Sequence, residues 1–177
     1  MAIETYLSEE KIKARLKELA KTINTDYKRD YPGETLHIIG VLNGAFIFLA
    51  DLVRLLEIPV TVEFISASSY GDSTVSSGEL KVNLDIKSDV RGKHLLLVED
   101  IVDTGLTVSV LKKKLEERSP ASLKVASFLY KPARLENEVK IDYLAFEIED
   151  HFVIGYGLDF SGRYRELPYV GIYKGDS

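Results

Sequence analysis

Residues 95–108 read LLLVEDIVDTGLTV, and this run constrains the fold more than any other part of the chain. The four consecutive apolar side chains Leu95–Val98 leave neither face of a strand for water. A strand buried on both faces belongs inside a parallel sheet covered by helices. The apolar run ends in Glu99 and Asp100. Asp103 then precedes Thr104, Gly105 and Thr107, and TVSVLKKKLEE (107–117) has Val108, Leu111 and Leu115 at helical spacing. Strand, acidic and glycine-bearing turn, and helix follow one another at the end of what must be a central strand. Open parallel sheets bind their ligands at such strand ends.

The flanking patterns extend this frame. Ser8 and the acids Glu9 and Glu10 precede an amphipathic helix through Tyr27, with Ile12, Leu16, Leu19, Ile23 and Tyr27 on one face. TLHIIGVL (35–42) reads as a strand, residues 44–57 as a mostly buried helix, and VTVEFIS (60–66) as a β-branched strand. Residues 67–79, ASSYGDSTVSSGE, read as a long polar loop. LKVNLDI (80–86) alternates like an edge strand. SLKVASFLY (122–130), IDYLAFEI (141–148) and FVIGYGLDF (152–160) read as further strands or shorter β pieces. The alternation gives an α/β domain around a parallel sheet, with the carboxyl-terminal segment set apart from it.

The length of 177 residues suits one domain with a substantial core. The net charge of -5 argues against broad nucleic-acid or membrane-surface binding. No cysteine is present to form a disulfide, thiolate ligand or thiol nucleophile. No apolar stretch approaches the ~20 residues of a membrane span. The amino terminus lacks the apolar segment of a secretory signal, so a cytoplasmic protein is expected.

At the site itself, amide groups at a helix start can hold a phosphate, and Gly105 lets the backbone approach it. Thr104 and Thr107 add hydroxyls. DTG alone could equally be a simple cap and turn. The paired acids sharpen the reading, because carboxylates repel a phosphate unless a cation or a polyol lies between them. A hard cation such as Mg²⁺ takes oxygen ligands, and neighbouring carboxylates can also accept from two sugar hydroxyls. Together these requirements describe a phosphorylated ribose.

The segment closely resembles the phosphoribosyl-diphosphate signature of the type I phosphoribosyltransferases. VLNGAFIFLADL (41–52), FISASSYGDSTVSSGEL (64–80), LYKPARL (129–135), FEIEDHFVIGYGLDF (146–160) and RYREL (163–167) resemble the hypoxanthine and hypoxanthine-guanine members in order and spacing. The resemblance implies a single domain over 1–177, with a core over about 35–147. A small hood would be built from the amino-terminal segment and residues 148–177. It implies an enzyme that moves 5-phosphoribosyl from 5-phosphoribosyl 1-diphosphate to N9 of hypoxanthine or guanine. The products would be IMP or GMP and diphosphate, with Mg²⁺ as cofactor, in a homodimer or homotetramer.

Residue roles follow from the same resemblance. Glu99 and Asp100 would hold the ribose hydroxyls and, with Asp159, associate with Mg²⁺. Asp103 would accept the purine N7 proton, and Asp103, Thr104, Gly105, Leu106 and Thr107 would seat the 5-phosphate. Leu42, Asn43, Gly44 and Arg165 would bind diphosphate. The family has a non-proline cis peptide in that loop, and often Lys where this chain has Asn43. Lys131 would read the purine 6-oxo group, Phe152 would stack on the base, and Val153 and Asp159 would line its edge. Ser69 and Tyr70 would belong to a mobile lid. Lys131 alone reads as a solvated turn residue, Phe152 and Val153 as core, and Arg134 as a surface charge. The three histidines are too scattered for a metal site. A preference for xanthine or guanine, or an RNA-binding regulator that retains the phosphoribosyl-diphosphate site, are the alternatives.

Overall fold

The computed structural model describes residues 3–69 and 79–175. Its centre is a six-stranded sheet in the order β4-β3-β2-β5-β6-β7. These strands are β2 (Leu36–Leu42), β3 (Val60–Ser69), β4 (Leu80–Leu84), β5 (His94–Val102), β6 (Ser122–Tyr130) and β7 (Tyr143–Glu147). All neighbours are parallel except β3 and β4, which form an antiparallel edge. The polar loop expected over 67–79 is therefore shorter than its composition implies. Residues 67–69 continue β3, because β4 offers them a pairing edge.

The apolar run does what its pattern requires. Leu95, Leu96, Leu97 and Val98 are all fully buried. Leu96 and Val98 join the core on one sheet face, while Leu95 and Leu97 join the core on the other. Burying each such side chain contributes about 1.5–3 kcal/mol. The first face is covered by α1 (Glu9–Asp30) and α2 (Phe46–Val53), the second by α3 (Leu106–Glu116). Helix α1 is capped as its sequence predicts, with Ser8 Oγ accepting from the Lys11 amide at 3.2 Å. Arg15 anchors it to β7 by donating to the Leu144 and Ala145 carbonyls, both at 2.8 Å.

A second, three-stranded sheet joins the two ends of the chain. Its order is β1 (Ile3–Leu7), β9 (Val170–Tyr173), β8 (Val153–Ile154), and both pairings are antiparallel. Of FVIGYGLDF only Val153 and Ile154 form a strand, because Gly155, Tyr156 and Gly157 adopt positive φ and turn the chain. That turn is tied to α2, since the Tyr156 hydroxyl donates to Asp51 Oδ2 at 2.5 Å. No helix among the described residues is long and apolar enough to cross a membrane.

The sheet topology positions a crevice. The chain leaves β2 towards β3 on one side and leaves β5 towards β6 on the other. The gap beyond the carboxyl ends of β2 and β5 is thus a topological switch point. Pairing of β2 with β5 ends at Gly40 and Val98, whereas pairing of β5 with β6 continues to Val102 and Tyr130. Glu99 is the first residue past the point where β2 peels away.

Candidate active site

A cleft of about 340 Å³ opens at this switch point. It is lined by Leu42 and Gly44 from the β2 end, Glu99, Asp100 and Asp103–Thr107 from the β5 end, and Asp159 and Arg165 from the carboxyl-terminal segment. Four sequence segments singled out separately thus meet at one cleft. Asn43, Lys131, Phe152 and Val153 are not on this wall. Tyr70 lies outside the described residues, and the backbone of Ser69 ends β3 opposite Leu80.

Glu99 is 5% exposed, and its carboxylate accepts from the Asp100 amide at 2.9 Å. Burial, and then the adjacent Asp100 carboxylate, push its proton affinity well above the ordinary carboxylate range. The Asp100 side chain accepts from the Ile101 amide at 2.7 Å. Its outer oxygen occupies the space that a side chain at position 44 would need, because a Cβ on Gly44 would fall 1.7 Å from Asp100 Oδ2. Gly44 follows the Leu42–Asn43 peptide, which is cis as the resemblance implies. The exposed Asn43 has its carbonyl accepting from the Phe46 amide at 3.3 Å.

The glycine of DTGLT is required by its backbone. Gly105 has φ +83°, and a Cβ there would lie 2.5 Å from the Asn137 carbonyl. Thr104 Oγ1 accepts from the Leu106 amide at 3.4 Å, opening α3. From behind, the Thr104 carbonyl accepts from the amides of Glu136 and Asn137 at 3.0 and 2.9 Å and from Asn137 Nδ2 at 3.2 Å. Asn137 thus supports the turn, although neither its type nor its position marked it in the sequence.

Next to this turn stands a charged row. The Lys131 amide donates to the Val102 carbonyl at 3.0 Å, which sets the residue beside the end of β5. Lys131 is 7% exposed, so it is not a solvated turn residue, and its ammonium lies 3.7 Å from Asp150 Oδ1. Arg134 is half exposed, but it is not a free surface charge, because its Nε donates to Asp103 Oδ1 at 2.7 Å.

The carboxyl-terminal segment contributes two kinds of group. Arg165 Nη1 donates to the Gly157 carbonyl at 2.6 Å, and Nη2 is 3.3 Å from Asp159 Oδ1. Asp159 Oδ2 accepts from the Gly162 amide at 2.8 Å, so both Asp159 oxygens have protein partners. Phe152 is 53% exposed, which removes it from the core, whereas Val153 is buried. The Phe152 ring meets Phe160 and Tyr173 edge-on, with centroids 5.8 and 6.1 Å apart, leaving an aromatic surface unusual for a large apolar side chain.

The donor set on the cleft wall, Glu99 and Asp100, is oxygen-only. It fits a hard divalent ion that keeps water and substrate oxygens as its remaining ligands. Among the described residues no cluster of three or more acidic, histidine or cysteine side chains forms a complete protein cage.

Comparison with known proteins agrees with this geometry. The phosphoribosyl transferase domain model matches residues 2–161. A hypoxanthine-guanine phosphoribosyltransferase of Bacillus subtilis (strain 168) is 42% identical over 171 residues, covering 97% of this chain and 93% of the relative. The crystal structure of a Bacillus anthracis hypoxanthine-guanine phosphoribosyltransferase superposes with a TM-score of 0.89 at 41% identity, covering 96% of this chain and 98% of the other. A hypoxanthine phosphoribosyl transferase of Trypanosoma cruzi, solved for the role of its C-terminal region in oligomeric state and enzymatic activity, gives 0.90 at 42% identity, covering 96% and 90%. Likeness of this extent assigns the chain to the phosphoribosyltransferase family, within its hypoxanthine and hypoxanthine-guanine group.

Proposed function

We propose that the protein transfers 5-phosphoribosyl from 5-phosphoribosyl 1-diphosphate to N9 of hypoxanthine, and of guanine, forming IMP or GMP in purine salvage. The observation that carries this reading is the cleft at the end of β5, where the buried Glu99, the half-buried Asp100, a third acid and a helix start line one wall. Amides from Thr104 to Thr107 seat the 5-phosphate at the positive end of α3. Glu99 and Asp100 accept from the ribose hydroxyls. They would also hold Mg²⁺ together with substrate oxygens; the ion supplies charge neutralisation for the departing diphosphate.

The base enters on the side of Lys131. Its buried ammonium donates to the 6-oxo group, a choice that favours oxopurines over adenine. Phe152 stacks on the ring, and Val153 and Asp159 lie along its edge. As the N9–C1′ bond forms, the C1′–oxygen bond to diphosphate breaks and its electron pair leaves with diphosphate. Asp103 takes the proton from N7. The amides of Leu42, Asn43 and Gly44, together with Arg165, receive the leaving group. Asn43 contributes through its backbone, so it does not need the Lys side chain common in the family.

We further read the chain as one domain, with its core over about 35–147 and a hood from both ends, working as a homodimer or homotetramer in the cytoplasm. Purified protein with Mg²⁺ and 5-phosphoribosyl 1-diphosphate should convert hypoxanthine to IMP in a spectrophotometric assay. Competition among hypoxanthine, guanine, xanthine and adenine ranks the bases. Failure to form a nucleotide from any oxopurine removes this assignment.

A further inference from the structure

We propose that Arg134 is a positioning residue for proton transfer, holding one oxygen of Asp103 so that the other faces the purine. The inference rests on the role given above to Asp103. A carboxylate that takes a proton from a ring nitrogen uses one oxygen in one direction. An unrestrained aspartate rotates about its terminal bond, whose torsional wells are broad. In this chain the rotation is stopped from one side. Arg134 Nε donates to Asp103 Oδ1 at 2.7 Å, the length of a charge-assisted bond. Among the described residues Oδ2 has no hydrogen-bond partner, which leaves it available to the ligand.

The guanidinium is itself held. Arg134 closes the short 3-10 turn Pro132–Arg134, which begins immediately after Lys131, and the Arg134 amide donates to the Lys131 carbonyl at 3.2 Å. Its Nη1 is 3.9 Å from Asp150 Oδ1, the same oxygen that lies 3.7 Å from the Lys131 ammonium. The row Lys131, Asp150, Arg134, Asp103 therefore alternates in charge from the group that reads the 6-oxo position to the group that takes the N7 proton. A purine seated on Lys131 finds the accepting oxygen already aimed. Half-exposed ion pairs stabilise a fold very little, so stability alone does not account for this arrangement, whereas orienting a reacting group does.

The experiment compares wild type, Arg134→Ala, Arg134→Lys, Asp103→Asn and the Arg134→Ala/Asp103→Asn double variant. Steady-state kinetics with hypoxanthine are measured beside 5-phosphoribosyl 1-diphosphate binding and thermal unfolding. Arg134→Ala should lower kcat about tenfold, a fraction of what a general base supplies. Its dissociation constant for 5-phosphoribosyl 1-diphosphate should stay within about twofold, and Arg134→Lys should recover part of the rate. In the Asp103→Asn background, removing Arg134 should cost less than about a further twofold, because residues acting as one unit are not additive. The inference is overturned if Arg134→Ala keeps kcat within about twofold of wild type. It is equally overturned if its loss multiplies undiminished with that of Asp103→Asn, or merely follows a fall in melting temperature. A wild type that turns over no oxopurine overturns the proposed function instead, so the two failures are distinguishable.

Discussion

His94 and Glu99 lie on the same strand, are 6% and 5% exposed, and have opposite fates. At the amino end of β5, His94 is fully matched. Its Nδ1 is 2.7 Å from Ser122 Oγ, its Nε2 is 2.7 Å from Glu34 Oε2, and its ring stacks on Tyr31 with centroids 3.8 Å apart. At the carboxyl end, Glu99 has a neighbour's amide and a second carboxylate beside it. One buried ionisable group is complete within the chain. The other sits beside a second carboxylate, which together with burial raises its affinity for a proton. Burial of a polar group therefore does not identify a site; the mismatch of its partners does.

The largest break in that contrast should come at the carboxyl end. Asp103→Asn is expected to lower kcat about 10²–10³-fold, the range of a general base. Binding of 5-phosphoribosyl 1-diphosphate, followed by calorimetry, should change far less, and equal losses would reduce Asp103 to a binding residue. Next comes Gly44→Ala. Its Cβ would meet Asp100 Oδ2 at 1.7 Å, so the carboxylate must move. A displacement of that order should cost about 10–100-fold in kcat/KM. The far-UV circular dichroism should be unchanged, and wild-type kinetics in this variant would dissociate Asp100 from the chemistry.

The amino end should respond in the opposite currency. His94→Ala leaves Glu34 and Ser122 without their partner and should cost about 1–3 kcal/mol in denaturant unfolding. The kcat of the folded fraction should stay at the wild-type value, and a catalytic loss there would erase the distinction between the two ends. The smallest effect concerns His37, whose Nδ1 lies 2.6 Å from Thr61 Oγ1. Burial, and then the charge of Lys93, hold its pKa below the ordinary 6.5. The unfolded chain thus takes up this proton first as pH falls, so stability is lost as pH drops below about 6.5. His37→Asn should flatten that part of a melting-temperature profile taken between about pH 7.5 and 5.5, and an unaltered slope would assign the acid limb to other groups.

What could be read directly from the chain was local or periodic. Leu95–Val98 announced a doubly buried strand, and the acids with Gly105 marked the end where the cleft opens, because both signals are carried by adjacent residues. Strands β1 and β9 gave no such signal. Each is short; β1 becomes a strand only by pairing with β9 across the whole sequence, and β9 by lying between β1 and β8. FVIGYGLDF reads as a strand by composition, but its glycines take the chain out of β geometry after Ile154. Arg134 and Asn137 escaped for a related reason. Their partners, Asp103 and Thr104, lie on another element, and an Arg after a proline looks like any solvent charge.

Gly44 carries one more implication through its neighbour Gly157. A Cβ on Gly157 would lie 2.2 Å from the Gly44 carbonyl, while a Cβ on Gly44 would strike Asp100. The two glycines let the loop after β2 and the turn after β8 approach each other with no room for a methyl group. A side chain at either position has to displace its neighbour rather than fill empty space. Reshaping of the cleft is therefore open to the side chains around this pinch point and closed at the pinch itself.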